Sequence, residues 1–247
     1  MVPGRKMCLL RNRSWSLMQP QWRWLPLSTA NSKFSMPTPG LKVTEFTLSA
    51  HTELLRVHSS RFGETVFNPG YGNARFSPFT DSAGIAVPTI YAGATVEVAL
   101  MESVFHDVPY TTDPSLKTYD LQRLNGMVLS HISNVRDLKL AKLFGPATRN
   151  LGIAEGELIH SSASCYPYTQ EWAKAIHAAS DVDGLIWSSR QCASYYAVMF
   201  FGDRVLPRDL LIRVPAELLK NSAIASKAIT SLASEMGLTF YDGKMLA

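Results

Sequence analysis

The sequence predicts an α+β fold, a mixed β-sheet core with flanking helices. Three observations carry this. Short β-branched and aromatic runs, such as Leu185-Ile186-Trp187 and residues 195–201, recur along the chain. Segments of helical spacing lie between them, but without the regular βαβ alternation of a doubly wound sheet. Hydrophobic residues make up 46% of the 247 and charged residues 18%, enough for a sizeable core and too apolar for global disorder.

The elements follow in chain order. Order is expected to begin near Leu41. Residues 42–57 alternate weakly, and Leu54-Leu55-Arg56-Val57 reads as a strand. Residues 61–82 are loop-like around Asn68-Pro69-Gly70-Tyr71-Gly72-Asn73. Thr89-Ile90-Tyr91-Ala92 is a short strand. Thr95 can cap a helix over 96–105, which Pro109 ends. Strands are expected at 116–121 and 127–132, and a short helical piece at 141–144. A helix at 171–179 has Thr169 as its candidate cap. A turn at 181–184 precedes the buried strand 185–187. Strands at 195–201 and 210–214 follow, and Leu218, Leu219, Ile224, Ala228 and Leu232 give 216–236 helical spacing.

Charge divides the chain in two. Residues 1–40 carry Arg5, Lys6, Arg11, Arg13, Arg23 and Lys33 and no acid. Without those six, 18 Lys and Arg face 20 Asp and Glu, so the remainder lacks the footprint of direct nucleic-acid binding. Residues 1–40 read as a disordered basic extension, or as translated upstream sequence before Met36. A transit peptide or an anchor to anionic surfaces is the alternative. Residues 41–247 read as one domain. The longest uncharged run, residues 82–96, contains Pro88 and is too short to span a bilayer, so no membrane partner is expected. Cys8, Cys165 and Cys192 form no C-x-x-C pair, which fits a reducing cytoplasm. The histidines show no metal-ligand spacing, and no metal is expected.

Several familiar motifs fail. Gly70-Tyr71-Gly72-Asn73-Ala74-Arg75 starts like a dinucleotide fingerprint but has Arg75 where the third glycine belongs. No phosphate-binding G-x-x-x-x-G-K and no G-x-S-x-G is present. What survives is a dispersed set. Arg56 ends a strand and Arg75 follows a Gly/Asn loop, where guanidinium forks suit a diphosphate or simple surface ion pairs. Tyr91 and Trp187 are core aromatics or stacking partners for a flat heterocycle. Glu102 and His106, at i and i+4, would share a helix face; Glu97 is the weaker alternative acid. Ser189 is a turn residue or a contact of the site.

The order and spacing of this set resemble the RES domain family, named for its Arg, Glu and Ser motifs. The matching segments are Leu55-Arg56-Val57, Asn73-Ala74-Arg75-Phe76-Ser77, Tyr91-Ala92-Gly93, Ala99-Leu100-Met101-Glu102 with His106, and Gly184 to Ser189 with Arg190 behind. Departures are Asn73-Ala74 in place of a glycine pair, Ser77 in place of asparagine, Trp187 in place of tyrosine, and a long stretch between Arg75 and Tyr91.

The resemblance implies an ADP-ribosyltransferase-like fold and the toxin of a bacterial toxin–antitoxin pair. It also implies a substrate, NAD, that is consumed at its nicotinamide–ribose bond, so no bound cofactor is expected. The expected partner is an antitoxin with a helix-turn-helix domain, and self-association is left open. Glu102, Arg75 and Tyr91 would be catalytic. Arg56, Ser189 and His106 would bind substrate or support the site. A non-catalytic nucleotide- or partner-binding module of the same fold is the alternative.

Overall fold

A computed structural model describes residues 34–109, 111–189, 192 and 195–243. The basic leader through Lys33, and Arg190, lie outside the described residues. The elements, in order, are β1 (Glu45–Leu48), β2 (Glu53–Ser59), β3 (Thr89–Gly93), α1 (Val96–Met101), β4 (Thr118–Asp120), β5 (Met127–Asn134) and β6 (Leu138–Lys142). Then come α2 (Ala147–Leu151), α3 (Glu155–Ile159), α4 (Tyr166–Ala179), β7 (Gly184–Ser188), β8 (Tyr196–Phe201), β9 (Leu210–Leu218), α5 (Ala223–Met236) and β10 (Thr239–Tyr241).

Eight strands form one mixed sheet in the order β1-β6-β7-β8-β3-β2-β5-β9. β6 and β7 run parallel, and the other neighbours are antiparallel. A parallel pair needs a long crossover, and here α2, α3 and α4 supply it. β4 and β10 pair separately. The fold is α+β, as the irregular alternation predicts. Among the described residues no helix is long and apolar enough to cross a membrane.

The core is aromatic and aliphatic. Trp172, Trp187, Phe76, Phe105, Phe200 and Phe201 are all fully buried, and each such side chain contributes about 1.5–3 kcal/mol. Packing starts before Leu41. Phe34 stacks on Tyr168 with ring centroids 5.0 Å apart, and the Trp172 indole donates to the Ser35 carbonyl at 2.7 Å.

Four local expectations are corrected. Residues 141–142 belong to β6, not to a helix; Leu138, Leu140 and Ala141 are fully buried between β1 and β7, and that burial overrides the local helix propensity of Leu, Ala and Lys. β9 runs on through Leu218, because Val128 and Leu129 pair with Leu218 and Glu217. α5 therefore starts later, where Ser222 Oγ accepts from the Ala225 N–H. The crossover helix starts at Tyr166, with Pro167 in its first turn, so Thr169 lies inside it rather than capping it. The expected strand at 116–121 narrows to 118–120 between two 3-10 turns, Pro114–Leu116 and Leu121–Leu124.

The fifth correction bears on the site. Thr95 does cap α1, its Oγ1 accepting from the Val98 N–H at 3.3 Å. The helix ends at Met101, however, and Glu102 is its C-terminal cap residue. Glu102 and His106 therefore do not sit on one helix face. At the other end, a Cβ on Gly93 would come 2.7 Å from Val98 Cγ1 and 2.9 Å from the Ala99 amide. Only a glycine lets α1 lie this close to the end of β3, and that close approach sets where Glu102 projects.

Candidate active site

Arg56 and His58 are two residues apart on β2, so both point to one face of the sheet. Both are buried. Arg56 Nη1 donates to the carbonyls of Gly63, at 3.3 Å, and Glu64, at 2.7 Å. Burial lowers the Arg56 pKa to about 10, partly offset by Glu64, so the guanidinium stays charged at neutral pH. His58 Nδ1 lies 3.0 Å from the Ser59 carbonyl oxygen, which can only accept. Nδ1 therefore carries the proton, and Nε2 of the neutral ring accepts from Ser130 Oγ at 2.7 Å. Burial, and then the Arg56 charge, lower the His58 pKa to about 4.

Arg75 sits on a loop that the crossover helix holds in place. Thr169 Oγ1 donates to the Arg75 carbonyl. Gln170 Nε2 donates to Asn73 Oδ1 at 2.8 Å and to the Ala74 and Ser77 carbonyls at 3.0 Å. Phe76 is fully buried and packs edge-to-face on Trp187. The Asn73-Ala74 departure is thus compensated by a clamp from α4. The Arg75 Nη1 group donates to the Leu158 carbonyl and to both oxygens of Ser161, at 3.1–3.3 Å, and its guanidinium lies over the Tyr166 ring. Its other nitrogens make no hydrogen bond among the described residues.

Tyr91 projects from β3. Its hydroxyl is 3.0 Å from Ser77 Oγ, and its ring packs edge-to-face against Trp187. Burial raises its pKa. Ser189 follows β7 and is 1% exposed. Its amide donates to the Tyr195 carbonyl, and its hydroxyl donates to Glu102 Oε1 at 3.1 Å. Burial raises the Glu102 pKa, against the pull of Arg75, the Ser189 hydroxyl, the Trp187 indole N–H and His106. That indole N–H is itself buried and meets no partner at full hydrogen-bond geometry.

These groups enclose a cavity of about 320 Å³. Arg56, Arg75, Tyr91, Glu102 and His106 line it, together with Trp187. Ser189 stands behind Glu102 and not on the wall. Among the described residues no ion pair joins Arg75 to Glu102, although the Arg75 charge favours the ionised Glu102. His106 is at the exposed rim, where its Nδ1 faces the Ser103 carbonyl and its Nε2 lies 3.1 Å from Asp107. Glu97 is not on the wall. Trp187, 1% exposed, is held edge-on by Phe76 and Tyr91. A wider depression of about 900 Å³ around Arg149 and Glu155 gathers none of these groups.

Among the wall residues that sequence reasoning did not place at the site are His58, Tyr71 and Tyr166. The strand period placed His58 beside Arg56 and was available as a signal. Tyr71 sat inside the turn cluster already noted. Nothing local marks Tyr166, which arrives through the crossover.

The comparisons add to this geometry. No curated protein matches the sequence. A solved structure, "Crystal structure of the M.tuberculosis MbcT-MbcA toxin-antitoxin complex", contains a chain similar in fold. It is 14% identical, with 74% of this chain and 90% of that one covered and a TM-score of 0.50. The family model described as the RES domain matches residues 53–217, a span that includes all six residues predicted for the site. The chain belongs to the RES domain family.

Proposed function

We propose that the protein consumes NAD by cleaving the bond between nicotinamide and ribose, and that it acts as the toxin of a toxin–antitoxin pair. The observation that carries this reading is the pairing, in one cavity, of a desolvated carboxylate at Glu102 with two guanidinium groups, Arg56 and Arg75. Guanidinium forks suit the two phosphates. The carboxylate suits the positive charge that develops on the ribose.

The chemistry needs little acid catalysis. The glycosidic C–N bond breaks, and its electron pair passes to the cationic pyridinium nitrogen, which leaves as neutral nicotinamide. The ribose carbon becomes oxocarbenium-like. Glu102 stabilises that cation and accepts hydrogen bonds from ribose hydroxyls, while Ser189 and Trp187 keep its charge available. Tyr91 braces the ribose. A nucleophile then adds at the same carbon. Water gives ADP-ribose and a proton, phosphate gives a phosphorylated ADP-ribose, and a protein side chain gives a modified protein. An antitoxin carrying a helix-turn-helix domain would cover the cavity and restrain the reaction. The resemblance to a chain from a toxin–antitoxin complex supports an antitoxin partner.

The test is incubation of the purified chain with NAD, followed by separation of the products. Nicotinamide is expected in equal amount to the NAD lost, and the second product identifies the acceptor. Induced expression of the native chain is expected to arrest growth, and that of Arg75→Ala is not. A native chain that neither releases nicotinamide nor arrests growth would favour a non-catalytic binding module.

A further inference from the structure

A second, smaller cavity of about 190 Å³ opens off the first, and Arg56, His58, Asn68 and Tyr71 line both. Its remaining walls are Ser59, Phe62, Val66 and Phe67. No acidic side chain is among them. Phe62, Val66 and Tyr71 are 45%, 44% and 73% exposed, an unusual gathering of apolar surface at the mouth of a buried cation. The side cavity is too small to be a whole small-molecule site, which suits it to one part of a longer ligand.

The walls are built and not incidental. Asn68 forms a backbone bridge with Thr89 of β3. Its Oδ1 accepts from the Gly70 and Tyr71 amides at 3.0 and 2.7 Å, and its Nδ2 donates to the Tyr71 carbonyl at 2.8 Å. This turn fixes the backbone of Tyr71 to the sheet. On the far side a Cβ on Gly202 would come 2.8 Å from Phe67 Cδ1, so the glycine makes room for that ring.

We infer that this side cavity receives the adenine of the dinucleotide, chiefly by stacking and shape. The inference rests on the NAD-consuming reading of the main cavity and names its second subsite. Arg56, at the junction, takes the phosphate nearer the base. The absence of an acid on the walls excludes the cationic nicotinamide ring, which belongs with Glu102 at the other end. The imidazole and the amide at the junction are already committed. Both His58 nitrogens face protein partners, Asn68 is consumed by its turn, and Ser59 Oγ accepts from the Arg61 amide. Only the rotatable hydroxyls of Ser59 and Tyr71 remain to meet the edge of a base. The subsite therefore tolerates a change at that edge while requiring a flat ring.

The probe is ADP, which carries the base and both phosphates and needs no catalysis. Calorimetric titration compares the native chain with the Phe62→Ala, Tyr71→Ala double variant, whose exposed positions leave the fold intact. Loss of base stacking is expected to weaken ADP binding about tenfold or more, and 1,N6-etheno-ADP is expected to bind the native chain within about threefold of ADP. With NAD as substrate, the double variant should raise KM more than it lowers kcat, and that rise in KM should be several-fold smaller with nicotinamide mononucleotide, which lacks the adenosine half. No ADP binding to the native chain, or equal ADP affinity for native and variant, overturns the subsite. Weakened ADP binding in a protein that does not cleave NAD upholds the subsite and overturns the enzymatic reading.

Discussion

Replacing Ser189 with alanine removes one hydroxyl from behind Glu102 and touches nothing else at the site. The Ser189 amide keeps its bond to the Tyr195 carbonyl, so the strand end stays in place. A hydrogen bond to a charged group contributes about 1.5–3 kcal/mol. At 3.1 Å this one is at the long end for an O–H donor, which points to the lower figure. About 1.5 kcal/mol is about tenfold in the ratio of ionised to protonated Glu102. Burial already favours the protonated form, and the reaction uses the ionised one. The rate of nicotinamide release by the native chain is thus expected to fall on the acid side with a midpoint above the ordinary glutamate range. In Ser189→Ala that midpoint moves further up, and the alkaline plateau changes less than the acid limb. The assay is nicotinamide release measured across pH for both proteins. Superimposable pH profiles would refute the link between the hydroxyl and the carboxylate.

Three further predictions concern binding and stability. Arg75→Lys keeps the charge but loses the planar guanidinium, whose Nη1 is held by Leu158 and Ser161 while its other nitrogens are left for the phosphates, so KM for NAD is expected to rise about tenfold while kcat changes less; steady-state kinetics checks this. Gly184→Ala drives a Cβ into the Met199 carbonyl and to 2.9 Å from Phe200 Cα in the middle of the sheet, with a loss of about 3 kcal/mol read from urea unfolding. His58 is held neutral in the fold, with a pKa near 4 against 6.5 when free. As pH falls through that window the unfolded chain takes up a proton that the fold refuses, so stability drops between about pH 6.5 and 4 and the loss is complete below. The difference between native and His58→Gln unfolding curves across pH isolates this contribution.

The parts of the fold written in local pattern were legible. β3, β7 and β8 are short runs of β-branched and aromatic residues, and Thr95 is a side-chain cap whose role needs no distant partner. Residues 141–142 were not legible, because Leu, Ala and Lys favour a helix until β1 and β7 flank them. The length of α1 was hidden for a related reason. Nothing in residues 102–105 forbids a helix, and the turn that ends it is set by the burial of Val104 and Phe105. At the site, the resemblance of the surrounding motifs to the RES family, rather than charge alone, marked Arg56, Arg75 and Glu102. The clamp from Thr169 and Gln170 left no such mark, since its value lies wholly in the loop it meets.

The most direct measurement is NAD turnover by the purified chain beside Glu102→Gln, with ADP titration showing that the variant still binds at the guanidinium end. Native protein should convert NAD to nicotinamide, and the amide variant should bind ADP normally while turnover falls by at least about a hundredfold. Equal turnover by the two proteins would contradict the role given to the carboxylate.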